Sequence, residues 1–212
     1  MPYKVRAKLV AFLGDEDRYP CHFPYEIGEE IIWDGERLEG RLCPGIMNNV
    51  IPKMVIMANS GMEHFKRIIF SYHGGRNVKD PSMKKYDGVG FRTLKGDEPY
   101  DPNLASTRIP RDRGTIGVCG DYRTLAAFLI EPIGLADGGF FKSDYMRQMS
   151  ILEKIKADPG LTVDDIINKY DDFERNEIFP PLNPKLVQFM LEEMAAVNYI
   201  ELKEGKAYPK EK

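Results

Sequence analysis

Three cysteines, Cys21, Cys43 and Cys119, are the residues of this chain most able to do chemistry. Cys43 stands directly before Pro44, and proline is favoured at the first position of a helix, so the pair predicts a helix with Cys43 at its N-cap. Backbone N–H groups at such a position stabilise a thiolate, which is a nucleophile or a metal ligand. The alternative is a small buried apolar side chain at the start of a helix, a common role for free cysteine.

The other two cysteines are predicted to lie where elements of structure end. Cys21 precedes His22 in a polar loop, and Cys119 ends a predicted strand before Gly120-Asp121. We expect the three thiols to meet at one rim of a sheet. Three thiolates with a histidine or a carboxylate would hold one divalent ion, zinc or iron. The chain has no C-x-x-C pair, so spacing alone gives this metal site only moderate support.

Histidine is scarce in this chain, which concentrates any imidazole chemistry on very few residues. Histidine occurs only at positions 22, 64 and 73, of which His64 fits a solvated helix residue best. His22 adjoins a cysteine, and His73 begins a long segment of low periodicity. Tyr86 is the phenol that we expect to act as an acid or oxyanion donor. The candidate catalytic residues are therefore His22, His73 and Tyr86, against the alternative that they are ordinary loop residues.

The segment 74–113 combines many cations with aromatic residues and little periodicity. A loop of this length is usually functional or disordered, and its aromatic content favours an ordered flap over the candidate site. Guanidinium groups clamp carboxylates and phosphates. Arg76, Arg92 and Arg111 are the candidate substrate-binding residues, although a solvated face explains most of the cations in this segment better.

The elements that position these residues predict an α+β fold. We expect a small mixed sheet formed by a strand at 3–13, a hairpin turning at Asp34-Gly35, and strands at 115–119 and 122–130. Helical spacing runs from Pro44 to Gly61, with Pro52 kinking or splitting it. The segment 62–72 fits a helix or a strand, and one or two helices with the inserted loop complete the domain 1–134.

The last third of the chain predicts a winged-helix-like domain, 144–212, after a linker at 135–143. Helices are expected at about 143–157, from the N-cap Thr162 onward, and at about 184–197, followed by a hairpin over 199–208. The third helix carries one lysine and two glutamates, a poor match to a phosphate backbone. We therefore expect this domain to serve packing or dimerisation rather than nucleic-acid binding.

Composition limits the cellular location and the partners that the protein is expected to have. The formal net charge is −3, with lysines and arginines interspersed among acids, so no basic footprint for nucleic acid exists. No run of 18 apolar residues and no signal-peptide pattern is present, and an odd number of cysteines favours reduced thiols. We expect a cytoplasmic protein with a small-molecule partner, no membrane partner and a possible homo-oligomeric state.

Three stretches resemble a largely uncharacterised family of small domains from anaerobes. They are residues 21–30, Gly40-Arg41-Leu42-Cys43-Pro44 and Val118-Cys119-Gly120-Asp121. Members carry Cys-x-x-Gly-His-Lys-x-Gly-Asp, Gly-Leu-Cys-Pro and a late strand ending in cysteine. The resemblance covers most of residues 3–131 outside the insertion and implies that the three cysteines share their placement with the family. It implies no particular reaction.

Together these patterns favour a metal-dependent hydrolase or lyase that acts on a small carbonyl-bearing or anionic molecule. The ion would polarise a carbonyl or activate water. A non-enzymatic redox or metal-sensing module that signals through the winged-helix-like domain is the alternative, and a purely structural zinc site is a third interpretation.

Overall fold

The computed structural model describes residues 3–14, 18–60, 71–73, 106–108, 114–121 and 123–210; at 71–73 and 106–108 only the backbone is described. Its centre is a five-stranded antiparallel sheet with the order β3-β2-β1-β7-β6. The strands are β1 (Tyr3–Phe12), β2 (Glu30–Trp33), β3 (Leu38–Glu39), β6 (Thr115–Val118) and β7 (Ala126–Leu135). The α+β class is confirmed, but the prediction of a mixed sheet is wrong, because every strand pairing in this sheet is antiparallel.

The central pair of the sheet is β1 with β7, which run side by side from Tyr3↔Leu135 to Phe12↔Ala126. From Tyr3 to Val10 the side chains alternate, and Val5, Ala7 and Leu9 are fully buried while their neighbours are partly exposed. This two-residue period is the signal that predicts the strand. The predicted strand at 3–13 is therefore confirmed.

Strand β7 is displaced from the predicted range 122–130, because a tight turn occupies the residues before it. Leu125 has a positive φ of 47°, and its N–H bonds to the carbonyl of Asp121 at 2.8 Å. The strand begins only after this turn and continues past the predicted end at 130 to Leu135, the first residue of the predicted linker. Pairing with β1 extends it through Pro132 and Gly134, which sequence propensity does not favour in a strand.

The hairpin of β2 and β3 forms where Asp34-Gly35 predicts it, with Trp33 opposite Leu38. The Asp34 carboxylate accepts hydrogen bonds from the backbone N–H groups of Glu36 and Arg37 at 2.8 and 2.7 Å. Gly35 supplies the positive φ, 104°, that the turn requires.

The predicted helix after Pro44 is split into α1 (Pro44–Met47) and α2 (Ile51–Ser60). The break lies at residues 48–50, so Pro52 falls in the first turn of α2, where its missing N–H has no intrahelical acceptor to lose. Helix α2 packs its buried face, Met54 and Met57 included, against the buried face of the sheet.

A second, two-stranded sheet pairs β4 (Ser71–His73) with β5 (Ser106–Arg108). Residues 106–108 belong to the segment predicted as an inserted loop, so that part of it is strand. The rest of the predicted loop, and residues 62–70 of the segment before it, lie outside the described residues.

The last third of the described chain contains the expected helices and hairpin, with one further helix. The elements are α3 (Lys142–Ala157), α4 (Val163–Asn168), α5 (Asp172–Asn176), α6 (Pro184–Ala196), β8 (Ile200–Lys203) and β9 (Lys206–Pro209), after a short 3-10 helix at Gly139–Phe141. Thr162 caps α4 as predicted, and its hydroxyl accepts the Asp165 N–H. Helix α5 was missed because its five residues carry no periodicity.

One contiguous core connects the sheet with these helices. It extends from Val5 and Phe128 in the sheet to Ile151 on α3 and Val187 on α6. A smaller cluster, centred on Ile116 and Leu125, is separate from it. The proposed division at residues 134–144 stays a prediction. Within the described part of the chain, no helix is long and apolar enough to cross a bilayer.

A buried carboxyl group lies between helices α3 and α6. Glu193 accepts a hydrogen bond from the amide of Gln148 at 2.9 Å, and both side chains are almost fully buried. Burial raises the pKa of Glu193 to about 7, and the nearby carboxylate of Asp144 acts in the same direction. The folded state therefore holds a proton that the unfolded chain releases near pH 4.5.

We predict that Glu193→Gln removes a pH dependence of stability. Because the folded-state pKa lies above the unfolded value, the stabilising contribution is complete below about pH 4.5 and is lost as the pH rises through about 7. At pH 8 the variant should be more stable than wild type by on the order of 2 kcal/mol. Urea unfolding between pH 5 and 8 measures this, with the exposed neighbour Glu192→Gln as control. Equal pH profiles for wild type and Glu193→Gln would contradict the assignment.

Candidate functional site

The three cysteine-bearing segments converge at one end of the central sheet. They are the loop after β1, the start of α1 and the turn between β6 and β7. The hydroxyl of Thr124, in the turn, donates to the carbonyl of Tyr19 in the loop at 2.9 Å. The backbone N–H of Gly120 donates to the carbonyl of Gly45 in α1 at 2.7 Å. We call Cys21, Cys43, Cys119, His22 and Asp121 the cysteine rim.

Cys43 occupies the N-cap of α1, as the sequence predicts. Its backbone is extended, Pro44 follows at the first helical position, and Sγ accepts a hydrogen bond from the N–H of Gly45 at 3.2 Å. The side chain is buried. The N-cap position therefore holds the sulfur in place through a backbone donor.

The Tyr25 hydroxyl fixes the backbone that carries Cys43. It donates to the carbonyl of Arg41 at 2.6 Å and accepts from the N–H of Cys43 at 3.1 Å. Burial of the phenol raises the pKa of Tyr25, so the group stays protonated and keeps its donor. One buried hydroxyl therefore satisfies two backbone groups on the approach to the N-cap.

The Arg41 side chain holds the loop that carries Cys21 in place. Its guanidinium lies 4.8 Å from the centroid of the Phe23 ring and donates to the Phe23 and Pro24 carbonyls at 2.7 and 3.3 Å. It also pairs with Glu29 at 3.1 Å. Irregular backbone has no ladder partners of its own, and this arginine supplies donors instead.

Cys119 is held by two backbone groups. Its Sγ accepts from the N–H of Ala126 at 3.2 Å and donates to the carbonyl of Asp121 at 3.6 Å. Burial raises the pKa of the Cys119 thiol, and the adjacent Cys21 contributes in the same direction. The thiol form is therefore favoured at Cys119.

Gly45 separates Cys43 from Cys119. A Cβ at position 45 would lie 3.4 Å from the Cys43 sulfur and 4.0 Å from the Cys119 Cβ. Two of the three cysteines thus flank the same glycine. Cys21 is half-buried and packs against the core, and all three cysteines are free thiols.

His22 lies beside the turn that carries Cys119. Its Nδ1 is 3.7 Å from Oδ2 of Asp121, and its side chain is 61% exposed. Hydrogen bonds from the Arg123 side chain and N–H hold the pKa of Asp121 below its ordinary value. At this distance the carboxylate makes no hydrogen bond to the imidazole, so it contributes negative charge beside the ring rather than a fixed orientation.

The donor set of the rim suits a thiophilic divalent ion, since thiolates and imidazole are ligands that zinc and ferrous iron prefer. The present arrangement is not itself a preformed cage. Among the described residues, no three His, Cys, Asp or Glu side chains are grouped closely enough to hold an ion. Binding would require thiols to turn from their present hydrogen bonds toward a common point.

The remaining candidate residues are not brought to the rim by any described contact. His73 ends β4, where only the backbone is described, and Arg76, Tyr86, Arg92 and Arg111 lie outside the described residues. Their assigned roles stay predictions. Conversely, sequence reasoning missed Tyr25, Arg41 and Asp121 as parts of the site. Asp121 adjoins a cysteine, which is a usable signal; the bridging role of Tyr25 has no local signature.

Comparison with known proteins gave no match: no family model fits the chain, and no curated protein or solved structure is significantly similar to it. The resemblance to the cysteine-containing domains of anaerobes therefore stays a prediction, and the site is argued from its own geometry.

We predict that Tyr25→Phe loosens the backbone around Cys43. The change strands the buried Cys43 N–H and the Arg41 carbonyl, which should cost about 1–3 kcal/mol in the free energy of unfolding. It should also increase the alkylation rate of Cys43. Urea denaturation and mass spectrometry of tryptic peptides measure the two effects. Tyr19→Phe, which removes a hydroxyl from the same loop, serves as the control; equal effects of both changes would refute the bridging role.

We predict unequal reactivity of the three thiols in the native protein. Cys21 is half-exposed, whereas Cys43 and Cys119 are buried and the pKa of Cys119 is raised. At neutral pH iodoacetamide should label Cys21 first and the other two at least about tenfold more slowly. In guanidinium chloride the three rates should become similar. Native labelling of Cys119 as fast as that of Cys21 would show that its burial is misassigned.

Proposed function

We propose that the cysteine rim binds one divalent zinc or iron ion and that the protein is a metal-dependent enzyme. The observation that carries the proposal is the convergence of three cysteines separated by up to 98 residues of sequence on hydrogen-bonded segments at one sheet end. Buried thiols that serve only packing need no backbone donors at sulfur. Here two of the three have them.

Those backbone donors support the metal role because they stabilise negative charge on sulfur. A metal-bound cysteine is a thiolate, and outer hydrogen bonds orient and tune such ligands. The Gly45 N–H at Cys43 and the Ala126 N–H at Cys119 support this role. His22, beside Asp121, is proposed as the fourth ligand. Cys21, Cys43, Cys119 and His22 are thus the proposed ligand set.

A bound ion would act as a Lewis acid on a carbonyl oxygen or lower the pKa of water, which is the chemistry of hydrolases and lyases. The residues of this chain would bind and orient the substrate. Arg76, Arg92 and Arg111 are proposed to clamp an anionic group, and His73 and Tyr86 to exchange protons. A small carbonyl-bearing or anionic molecule fits these groups best, and no nucleic acid partner is proposed.

A second candidate is a redox or metal sensor without turnover, in which a winged-helix-like unit transmits the state of the thiols. The order of elements along the chain supports such a unit, because three helices, α3, α4 and α6, precede the β8–β9 hairpin. Leu161, before α4, also forms a β-bridge with Ala207 of the hairpin. Cys43 and Cys119 belong to the same contiguous core as Val187 and Met190 of α6. A change at the cysteine rim would therefore be transmitted to helix α6 through packed side chains rather than across solvent.

We predict that anaerobically purified protein binds one zinc or ferrous ion per chain. Cys43→Ser and Cys119→Ser should each weaken binding by more than about a hundredfold, because losing a ligand exceeds the cost of losing an outer-shell partner. Affinity should fall between pH 8 and 6, since protons must leave the thiols. Competition with a chromophoric chelator measures affinity, and a weakly buffered indicator measures proton release.

Asp158→Asn, a carboxylate change far from the rim, serves as the control, and circular dichroism verifies that each variant folds. Absence of a stoichiometric ion, or full metal retention in Cys43→Ser, would refute the metal site. If the ion binds but changes only the oligomeric state, without turnover of any small carbonyl compound, the sensor is favoured. If Cys43→Ser loses its fold together with the ion, the site is structural.

A further inference from the structure

The segment 171–180 comprises the short helix α5 and the turn after it, and we call it the aromatic loop. It is wrapped around one buried arginine. The guanidinium of Arg147, on α3, donates to the carbonyls of Glu174 at 2.9 Å and Pro180 at 3.2 Å, and also to the carbonyl of Ile178. Arg147 is buried. Three carbonyls converge on one cation, so the backbone of the loop is fixed with its polar groups directed inward.

The same arrangement directs the large apolar side chains of the loop outward. Phe173 is 65% exposed, Ile178 is 42% exposed and Phe179 is 70% exposed. Single exposed apolar residues are ordinary, but three on one ten-residue segment that is held by a buried cation are not. Because the carbonyls bind Arg147, the loop cannot turn over to bury these side chains without breaking three charge-assisted hydrogen bonds.

The surface of the aromatic loop is acidic. Residues 171–180 carry four carboxylates against one arginine, and that arginine, Arg175, pairs with Asp172 at 2.8 Å. Asp171, Asp172 and Glu177 are exposed. The surface thus combines aromatic area with negative charge, which repels nucleic acids and anionic lipid surfaces.

We infer that the aromatic loop is a docking surface for a basic amphipathic helix of a partner protein. Such a helix places apolar side chains on Phe173, Ile178 and Phe179 and its lysines or arginines against Asp171, Asp172 and Glu177. A second copy of this chain is a poorer occupant, because a two-fold contact through this loop sets its carboxylates against their own copies. This inference is independent of the metal site.

The test uses the full chain and a fluorescein-labelled 14-residue peptide with leucines at helical spacing and lysines elsewhere. Fluorescence anisotropy should show saturable binding, and a matched peptide with glutamate in place of lysine should not bind. The Phe173→Ser and Phe179→Ser double variant should weaken binding at least about tenfold. Glu177→Lys should weaken it severalfold and reduce its salt dependence. Phe140→Ser, at an 88% exposed phenylalanine outside the loop, should change nothing.

Four results would overturn the inference. The first is no saturable binding of the lysine peptide below about 100 µM. The second is equal binding by wild type and the folded double variant. The third is a concentration-dependent dimer in sedimentation velocity that the double variant abolishes, which would make a second copy the occupant. The fourth is cosedimentation with anionic phospholipid vesicles that depends on Phe173 and Phe179. Circular dichroism shows that each variant retains its helices.

Discussion

The long antiparallel pairing of β1 with β7 is the constraint on which the rest of the structure depends. It sets Phe12, the last residue of one strand, opposite Ala126, the first residue of the other. The loop that leaves β1 carries Cys21, and the turn that enters β7 carries Cys119. Residues far apart in sequence therefore emerge at the same end of the sheet. The price in chain entropy for closing so long a loop is offset by burial along both strands.

Cys43 reaches this end of the sheet by different contacts. Its segment is attached to the turn through the Gly120–Gly45 hydrogen bond and to the loop through the Tyr25 hydroxyl. Gly45 lies between Cys43 and Cys119, since a Cβ at this position would be in van der Waals contact with both the Cys43 sulfur and the Cys119 Cβ. The rim thus combines one pairing of strands with two hydrogen bonds between segments that are distant in sequence. The Cys43 sulfur accepts from the N–H of Gly45 at the N-cap, whereas at Cys119 burial raises the pKa and favours the thiol.

Local signals in the sequence predicted local structure well. Cys43-Pro44, Asp34-Gly35 and Thr162 each specify a cap or a turn through bonds to backbone within three residues, and each forms as expected. Structural features that depend on residues far apart in the sequence were harder to predict. The start of β7 depends on a turn at Leu125 with a positive φ that its residue type does not suggest, and the partners of Tyr25 lie 16 and 18 residues away. The gathering of the three cysteine segments was expected from their places at element ends, but its hydrogen bonds were not.

Two arginines, in different parts of the chain, each hold a segment of backbone by donating to its carbonyls. Arg41 donates to the Phe23 and Pro24 carbonyls of the loop that carries Cys21, and Arg147 donates to three carbonyls of the aromatic loop. Backbone outside strands has no ladder partners, and a guanidinium with five donors can satisfy several of its carbonyls at once. Around Arg41 the side chains of Phe23 and Tyr25 still pack against the core, whereas around Arg147 the side chains of Phe173 and Phe179 stay exposed. The same kind of contact therefore supports an inward-packed loop beside the thiols and an exposed apolar surface on the aromatic loop.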